Sequence, residues 1–578
     1  MTRKPLFPAF TSLSRRDFLK YCGATLCVAA VSTSLTGCLS SLSRDKLSAV
    51  NFDSGVASGD ATQNALILWT RATPIAEVSK PTELTVAWEL ATEPEFSNII
   101  RSGYASTSAQ QDFTIKIDVQ ELTPGTSYYY RFVGASGESM TGRTATLPDG
   151  HLETLKLAVF SCSNYPAGYF NVYTEAAKQQ PDAVIHLGDY IYEYGSDGYA
   201  TENAAAIGRT LADNNSSEIL TLEDYRRRYA TYRQDKGLQL LHASAPWYLV
   251  WDDHEIANDT WMHGAENHQP ETEGDFYLRR AAALQAYFEW LPVRPPKEDD
   301  NTYIYRSFDF GDLFSLHMLD TRIIGRSQQL NYRDYINPET GAFDQQRFHQ
   351  DFTSNRPLLG EQQLNWLNQQ LQASTASWQV LGQQVLMGRM HLPAEIIANP
   401  DISQAAAKIA ELAQVKQRVI QARQQGLTPD ATDVARLSAS LPYNLDAWDG
   451  YPAEREMLYQ QLKAVNKKLL VLAGDTHNAW YSTLTNLQGE KIGVEFATSS
   501  VSSPGMETYL QLNDQQSAQL AQALTLLIDD LDYCNLHQRG YLQLELRHEQ
   551  VTADWIFIDN ILSEDYQIAG QHRVEYRV

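Results

Sequence analysis

The chain has few cysteines, a shortage of positive charge and no long apolar run. Three of its five cysteines fall within the first 38 residues, so only Cys162 and Cys534 remain in the body. Two cysteines cannot build a disulfide framework, although one bridge between them stays open. Acidic residues outnumber basic ones by 70 to 46, and the net charge of -24 argues against specific nucleic-acid binding. The apolar stretch at 21–31 is too short for a bilayer span.

The first 38 residues have the pattern of an export signal. Residues 14–20 (S-R-R-D-F-L-K) match the twin-arginine motif, and residues 35–38 (L-T-G-C) match a bacterial lipobox. An ordinary signal-peptidase site with a chance cysteine is the alternative to lipidation. The pattern therefore predicts passage through the twin-arginine export machinery and loss of residues 1–37. It also predicts a periplasmic or cell-envelope lipoprotein, held to the membrane by acyl chains on Cys38.

Length and patterning divide the rest of the chain into two domains. The 578 residues exceed what one core usually holds, about 250–300 residues. After a Ser-rich tether at 39–49, residues 50–148 alternate in hydrophobicity, and the turn and aromatic run at 122–132 resemble the strand that carries the tyrosine corner of fibronectin-type sandwiches. We expect a small all-β domain of immunoglobulin or fibronectin type there. An α/β domain over 149–578 should follow, with a helical insertion at 393–440.

The α/β domain repeats one pattern, in which a short apolar strand ends in side chains able to bind a metal. The run at 182–188 predicts a buried strand that turns at Gly188 and presents Asp189 at its carboxyl end, with Tyr192 three residues later. Anionic oxygens from a carboxylate and a phenol suit a hard trivalent ion. Taken alone, Asp189 could equally cap a following helix.

Three further strand ends carry ligand-type side chains. They are Cys162 after 155–160, Asp252-Asp253-His254-Glu255 and Asn258 after 247–251, and Asp475 and His477 after 468–473. Adjacent carboxylates are costly to bring together unless cations compensate them. The alternatives are a buried inert thiol at Cys162 and a solvated acidic turn at Asp252. Another strand ends in Arg322, which could clamp an anionic oxygen or pair with Asp320 or another acid.

Together these motifs resemble the metallophosphatase pattern D-x-H, G-D, G-N-H and G-H-x-H, and in detail the PhoD-type alkaline phosphatase/phosphodiesterase family. The matching motifs are V-W-D-D-H-E at 250–255, L-D-T-R at 319–322, W-D-G-Y-P at 448–452 and G-D-T-H at 474–477. The resemblance covers nearly the whole chain after the signal. It implies a four-layer α/β/β/α sandwich with metal ligands on loops at strand ends.

The same resemblance implies an active site with one ferric ion and calcium ions. The Fe3+ candidates are Cys162, Asp189, Tyr192 and His477, with Asp189 bridging, and the Ca2+ candidates are Asp252, Asp253, Asn258 and Asp475. Three positions depart from the wider superfamily, since Cys162 replaces an Asp, Asp253 an Asn and Asp475 a His. The additional anionic ligands disfavour an ordinary dinuclear zinc centre.

These residues favour an exported metal-dependent phosphohydrolase that cleaves phosphomonoesters or phosphodiesters outside the cytoplasm by metal-activated water or oxo attack. Asp189, His254 and Arg322 are the catalytic candidates, the last two for protonation or clamping at the periphery. One alternative is an exported iron redox protein, although CxxC and CxxCH spacings are lacking. The other is a calcium-binding envelope adhesion module, which leaves Cys162, Tyr192 and His477 unexplained.

Overall fold

The computed structural model describes residues 44–75, 83–296, 300–397 and 402–578. The predicted export signal at 1–38, the predicted lipid anchor on Cys38 and the first residues of the predicted tether lie outside these ranges. Within the described ranges, every helix is too short or too polar to cross a membrane.

The strands are numbered in chain order. They are β1 (Val50–Asn51), β2 (Val56–Gly59), β3 (Leu66–Arg71), β4 (Thr73–Pro74), β5 (Leu84–Ala91), β6 (Ile99–Thr107), β7 (Thr114–Val119), β8 (Ser127–Gly134), β9 (Gly137–Glu138), β10 (Gly142–Ala145), β11 (Thr154–Phe160), β12 (Ala183–His186), β13 (Trp247–Leu249), β14 (Arg306–Phe310), β15 (Phe314–Met318), β16 (Trp378–Gly382), β17 (His391–Pro393), β18 (Ser440–Pro442), β19 (Lys468–Ala473), β20 (Ala479–Thr485), β21 (Lys491–Ala497), β22 (Leu531–Asn535), β23 (Arg539–Arg547), β24 (Gln550–Ile558) and β25 (Ile568–Arg577).

The α-helices are numbered in the same way. They are α1 (Asn171–Lys178), α2 (Leu222–Tyr232), α3 (Lys236–Ser244), α4 (Pro270–Glu273), α5 (Phe276–Trp290), α6 (Gln345–Phe352), α7 (Gly360–Ala373), α8 (Ala394–Ile397), α9 (Ala405–Gln424), α10 (Ala431–Ser438), α11 (Pro452–Val465), α12 (Met506–Tyr509) and α13 (Asp514–Leu527). Helices α8, α9 and α10 occupy the segment where a helical insertion is expected, and α9 packs against α13.

Two mixed sheets form the centre of the α/β domain. Among the described residues, the larger has nine strands in the order β25-β24-β23-β11-β12-β13-β2-β3-β7, and the smaller has seven in the order β14-β15-β16-β19-β21-β20-β22. Strands β11, β12 and β13 are parallel, as are β15, β16, β19 and β21. Because parallel strands end on the same side, their carboxyl ends gather along one edge of each sheet.

The two sheets pack face to face, and helices cover their outer faces. In β19, Leu470 and Leu472 belong to the core that includes the larger sheet, whereas the alternate residue Leu469 packs in a second core with helix α11. The indole nitrogen of Trp555 in β24 bridges the sheets by donating to the Ala497 carbonyl in β21 at 2.8 Å. Helix α1 packs against β23 and β24 on the other side. The expected four-layer α/β/β/α architecture is confirmed.

The segment at 50–148 is all-β but is joined to the larger sheet by backbone pairing. Strands β5, β6, β8, β9 and β10 form a separate antiparallel sheet, in which the Tyr128 hydroxyl accepts a hydrogen bond from the Thr123 amide at 3.1 Å, as in a tyrosine corner. Strands β2, β3 and β7 instead extend the nine-stranded sheet, because Gly59 of β2 pairs with Trp247 of β13. This segment therefore supplies strands to both of these sheets, and its strands β1 and β4 pair with each other in a third.

Candidate metal centre

Four of the eight predicted ligands follow the carboxyl ends of strands and have an unusual backbone conformation. Cys162, Asp189, Asp475 and His477 have φ angles of 62°, 54°, 63° and 62°. Residues other than glycine rarely adopt this left-handed conformation, which costs about 1–3 kcal/mol and is concentrated at functional sites. Strands β11 and β12 of the larger sheet carry the first two, and β19 of the smaller sheet carries the others. The centre therefore lies where the edges of the two sheets meet.

The turn after β12 needs the glycine that precedes Asp189. Gly188 has a φ of 107°, and a Cβ atom built on it would lie 2.4 Å from the backbone nitrogen of Asp252. Any larger residue would push the turn after β12 away from the turn after β13. Gly188 thus allows Asp189 and Asp252 to approach each other.

One group of donor atoms includes the Cys162 thiol. The Sγ of Cys162, a carboxylate oxygen of Asp189 and a ring nitrogen of His477 lie within 4.8 Å of one another, and all three residues are buried. Tyr192 adds its phenol oxygen, 3.0 Å from Asp189 Oδ2 and 3.1 Å from His477 Nε2. The structure thus brings together the four residues expected to bind iron. His477 Nδ1 donates to the Pro504 carbonyl at 2.8 Å, so the lone pair on Nε2 is available to this group.

A second group of donors consists of oxygens and adjoins the first. Carboxylate oxygens of Asp252, Asp253 and Asp475 lie within 4.8 Å of one another. Asp253 also lies within this distance of Asp189 and His254, which connects the two groups. Asn258, the remaining residue expected to bind calcium, lines the cleft beside them. Hard oxygen donors of this kind suit calcium.

The chemistry of these donors fits bound cations. Three carboxylate oxygens are buried without a hydrogen-bond partner, namely Asp189 Oδ1, Asp252 Oδ2 and Asp253 Oδ1. Burial, reinforced by neighbouring acidic groups, raises the pKa of Cys162, Asp189 and Asp475 well above the ordinary values. A cation would favour the anionic forms and accept the unpaired lone pairs. The residues present therefore fit the binding of metal ions.

Arg322 pairs with the acids of the second group and does not reach the cleft. Its side chain is 0% exposed, and its guanidinium forms ion pairs with Asp252, with Asp446 at 2.8 Å and with Asp475 at 2.9 Å. Of the two roles left open by the sequence, pairing with acids is therefore the one that the geometry favours. Asp253, at 3.5 Å, is a fourth carboxylate partner. The Asp320 carboxylate accepts from the backbone amide of Arg322 instead.

His254 lies on the cleft wall, and Glu193 orients its ring. His254 Nδ1 is 2.7 Å from Glu193 Oε2, and Glu193 Oε1 accepts from the backbone amide of Asn258 and from the side chain of Asn267, both at 2.8 Å. Burial opposes the charged imidazole, but Glu193, Asp253 and Asp189 outweigh it and raise the pKa of His254 well above its usual range. These carboxylates therefore favour the protonated form of the ring beside the candidate metal ligands.

Known proteins share this architecture over most of the chain. The family model for PhoD-like phosphatase matches residues 157–555, and the model for the PhoD-like phosphatase N-terminal domain matches residues 37–148. The chain belongs to the PhoD-like phosphatase family. It is 34% identical over 512 residues to alkaline phosphatase D of Bacillus subtilis (strain 168), which covers 86% of this chain and 77% of that protein. A solved structure of PhoD superimposes with a TM-score of 0.71 at 30% identity, covering 92% of this chain and 91% of that one. The PhoD-like chain is thus a phosphoric ester hydrolase.

The sequence motifs of the PhoD-like centre did not reveal the role of Glu255. This buried carboxylate accepts hydrogen bonds from three backbone amides, those of Asp189 at 3.0 Å, Tyr190 at 2.6 Å and Asp252 at 2.7 Å. It thereby ties the turn after β12 to the turn after β13. Its position beside the Asp252 pair marks it as part of the site, but the sequence does not show that it faces backbone rather than a metal.

Ser503 is a second residue that sequence analysis missed. Its hydroxyl lies 2.7 Å from the Tyr192 phenol oxygen, to which it donates, and 3.1 Å from the Cys162 carbonyl. The available signal was a hydroxyl-rich run, T-S-S-V-S-S at 498–503, directly after a strand. Its hydrogen bond places Ser503 next to an expected metal ligand rather than in a surface loop.

A cleft of about 220 Å³ opens above the candidate metal ligands of this PhoD-like chain. Its floor contains acidic and histidine side chains, and its walls contain four tyrosines, Tyr194, Tyr199, Tyr443 and Tyr509. The Tyr199 ring packs parallel to those of His477 and Tyr509, with centroid distances of 6.1 Å and 6.5 Å. The cleft thus combines a charged floor with aromatic walls, which suits an ester that has a charged and an uncharged part.

Proposed function

We propose that this protein is an exported metal-dependent alkaline phosphatase/phosphodiesterase that cleaves phosphomonoesters or phosphodiesters outside the cytoplasm. One observation carries the proposal. Side chains that follow β11, β12, β13 and β19 converge at one place beneath the cleft, where three buried carboxylate oxygens lack hydrogen-bond partners. Such an arrangement is costly for a protein without cations and useful for one that binds phosphoryl oxygens through them.

The donor sets support two kinds of cation. Cys162, Asp189, Tyr192 and His477 offer thiolate, carboxylate, phenolate and imidazole, a mixture that suits Fe3+. Asp252, Asp253, Asn258 and Asp475 offer only oxygens, which suits Ca2+. When bound, these ions would supply positive charge for the phosphoryl oxygens and lower the pKa of an attacking water. Asp189 belongs to the first set and lies within 4.8 Å of Asp253 of the second, so it would connect the two sets.

The chain's own side chains have distinct proposed roles around the substrate. His254 lines the cleft and is oriented by Glu193, so it can donate a proton to the oxygen of the leaving alcohol. Arg322 acts from below as a positioning residue, because its ion pairs fix Asp252 and Asp475 in place. The aromatic wall would contact the alcohol portion of the ester.

The domain and localisation proposals follow the sequence. The proposed domains are a twin-arginine lipoprotein signal at 1–38, a tether at 39–49, an N-terminal β domain at 50–148 and a catalytic domain at 149–578. The protein would then be attached to the membrane by a lipid on Cys38. The pattern of residues 14–20 and 35–38 supports this proposal. Labelling with a palmitate analogue in wild type and in Cys38→Ala would test it, and equal labelling of both would contradict lipidation.

The catalytic proposal is tested by one substitution and a matched control. Asp189 follows the carboxyl end of β12, and Asp182 precedes the amino end of the same strand. We expect Asp189→Asn to abolish turnover of a chromogenic phosphomonoester and phosphodiester and to lower the iron content, while Asp182→Asn leaves both unchanged. Near-wild-type turnover in Asp189→Asn would refute the assignment. Iron binding without ester turnover in the wild type would favour a redox protein.

A further inference from the structure

A second cluster of ligand-type side chains lies at the opposite end of the sheets from the active site. It consists of His151, which precedes β11, Asp312 in the turn between β14 and β15, and His548 in the turn between β23 and β24. We call it the His151 cluster. Strand β11, with seven residues or roughly 20 Å, separates it from Cys162. The cluster is therefore separate from the phosphatase centre.

Backbone contacts hold two segments of the His151 cluster together, the one before β11 and the turn between β14 and β15. The Asp312 amide donates to the Gly150 carbonyl at 3.1 Å, and the Ser377 amide donates to the Asp312 carbonyl at 3.0 Å. Gly311 has a φ of 56°, and a Cβ atom built on it would lie 2.2 Å from the Gly150 carbonyl oxygen. Only glycine permits this close approach, so the turn that carries Asp312 is fixed against the segment that carries His151.

The donor atoms have the spacing that a single small cation needs. His151 Nδ1 lies 2.9 Å from Asp312 Oδ2, and His548 Nε2 lies 3.7 Å from Asp312 Oδ1. With metal–ligand bonds of about 2.1 Å, two ligands of a tetrahedral ion lie roughly 3.4 Å apart. One donor from each of the three side chains falls within 4.8 Å of the others. The remaining adjustment is small, because the His151 side chain is 68% exposed and its ring can rotate.

The surroundings of His548 add the support that metal-binding histidines usually have. Its Nδ1 lies 2.7 Å from the Ser377 hydroxyl, which orients the ring, while its Nε2 faces two oxygens, Asp312 Oδ1 and the Leu152 carbonyl at 3.1 Å. A nitrogen among oxygen acceptors is stabilised by a proton or by a metal ion between them. Asp312 and His548 are 45% and 29% exposed, so water can reach the site and complete the coordination.

We propose that His151, Asp312 and His548 bind a divalent transition-metal ion, with Zn2+ as the representative, at a site distinct from the phosphatase centre. Two imidazoles and one carboxylate select zinc, nickel or copper over calcium or magnesium. The bound ion joins the segment before β11 and the β23–β24 turn, which belong to the larger sheet, to the β14–β15 turn of the smaller sheet. Its role is therefore to fasten the two sheets at the end remote from catalysis.

Zinc titration calorimetry on the full enzyme with its native metals in place tests the proposal. We expect the wild type to bind one more equivalent of Zn2+ than either His151→Ala or His548→Ala. The matched control is His263→Ala, because His263 is an exposed histidine whose ring contacts Tyr277 and no carboxylate in the described residues. This control should keep the additional equivalent. The melting temperature should rise with Zn2+ in the wild type and in the control but not in His151→Ala.

Two further measurements test whether the His151 cluster binds a metal ion. With Cu2+ as the probe, electron paramagnetic resonance should show nitrogen coupling from two imidazoles in the wild type and from one in His151→Ala. Phosphatase turnover should be unchanged in His151→Ala, because the His151 cluster lies far from the cleft. The proposal is overturned if His151→Ala binds as many equivalents of Zn2+ as the wild type with the same Kd. That result would leave His151 and Asp312 as a simple ion pair, without affecting the phosphatase assignment.

Discussion

Replacing Glu255 by glutamine tests whether the hydrogen bonds of this side chain fix the geometry of the metal centre. The Glu255 carboxylate accepts from the backbone amides of Asp189, Tyr190 and Asp252. Glutamine keeps the shape, but its one carbonyl oxygen replaces only the oxygen that faces Asp189 and Asp252, and its NH2 group then opposes the Tyr190 amide. One unsatisfied buried amide costs about 1–3 kcal/mol. That cost lowers the equilibrium constant for the arrangement that presents Asp189 and Asp252 together by roughly 5- to 150-fold.

Glu495→Gln provides a matched control for this measurement. Glu495 is also a buried carboxylate, accepting from the backbone amides of Met387 at 2.6 Å and Gly388 at 3.0 Å. It lies on the face of β21 opposite Val494 and Phe496, which belong to the core that includes the larger sheet. We expect both variants to unfold at lower denaturant concentration than the wild type. Only Glu255→Gln should lose metal on dialysis and lose kcat/KM for a chromogenic phosphate ester.

Two results would contradict a positioning role for Glu255. Full metal content and full kcat/KM in Glu255→Gln would show that the three hydrogen bonds do not position the ligands. Equal metal loss in both variants would show that the effect comes from general destabilisation. Either result would refute the reasoning that one carboxylate fixes the two turns.

Three further predictions concern residues around the centre and in the core. Ser503→Ala removes the hydroxyl 2.7 Å from the Tyr192 phenol, so the visible absorption band of an iron–tyrosinate centre should shift, and an unchanged band would exclude this contact from the ligand environment. Arg322→Met leaves Asp252, Asp253 and Asp475 without their arginine partner, whereas Asp446 keeps Arg326, and it should cost about 3–5 kcal/mol in denaturant unfolding. Excess Ca2+ should restore part of this loss, and no restoration would argue against a cation site there. Burial lowers the pKa of His186 to about 3, below the unfolded value of about 6.5, so the native state binds fewer protons and stability falls as pH decreases through this interval. His186→Gln should reduce the difference between the free energies of unfolding measured at pH 7 and at pH 5. An unchanged difference would contradict a lowered pKa for His186.

The sequence predicted the convergence of the centre because its signals are local. Gly188 and Gly474 each end an apolar run and precede an aspartate, and such runs become parallel strands whose carboxyl ends gather along one edge of their sheet. The four-layer fold followed from the family resemblance and is confirmed. The thiol of Cys162 could be placed with Asp189 because β11 and β12 are consecutive neighbours in the sheet.

Other features could not be predicted because they depend on long-range pairing or on side-chain direction. Alternation marks β2 as a strand, but it does not show that Gly59 pairs with Trp247 and extends the larger sheet. The sequence left the partner of Arg322 open, since the choice depends on four carboxylates brought in from three separate loops. The His151 cluster was missed for the same reason, because its three turns are distant in sequence and carry no shared motif.

A crystal structure of the purified enzyme, with anomalous diffraction measured at the iron edge, tests the central claim most directly. We predict an iron peak bonded to Cys162, Asp189, Tyr192 and His477, and a neighbouring calcium site among Asp252, Asp253, Asn258 and Asp475. The account would be contradicted if the Cys162 thiol and the Asp189 carboxylate were found without a common ion in protein that turns over phosphate esters.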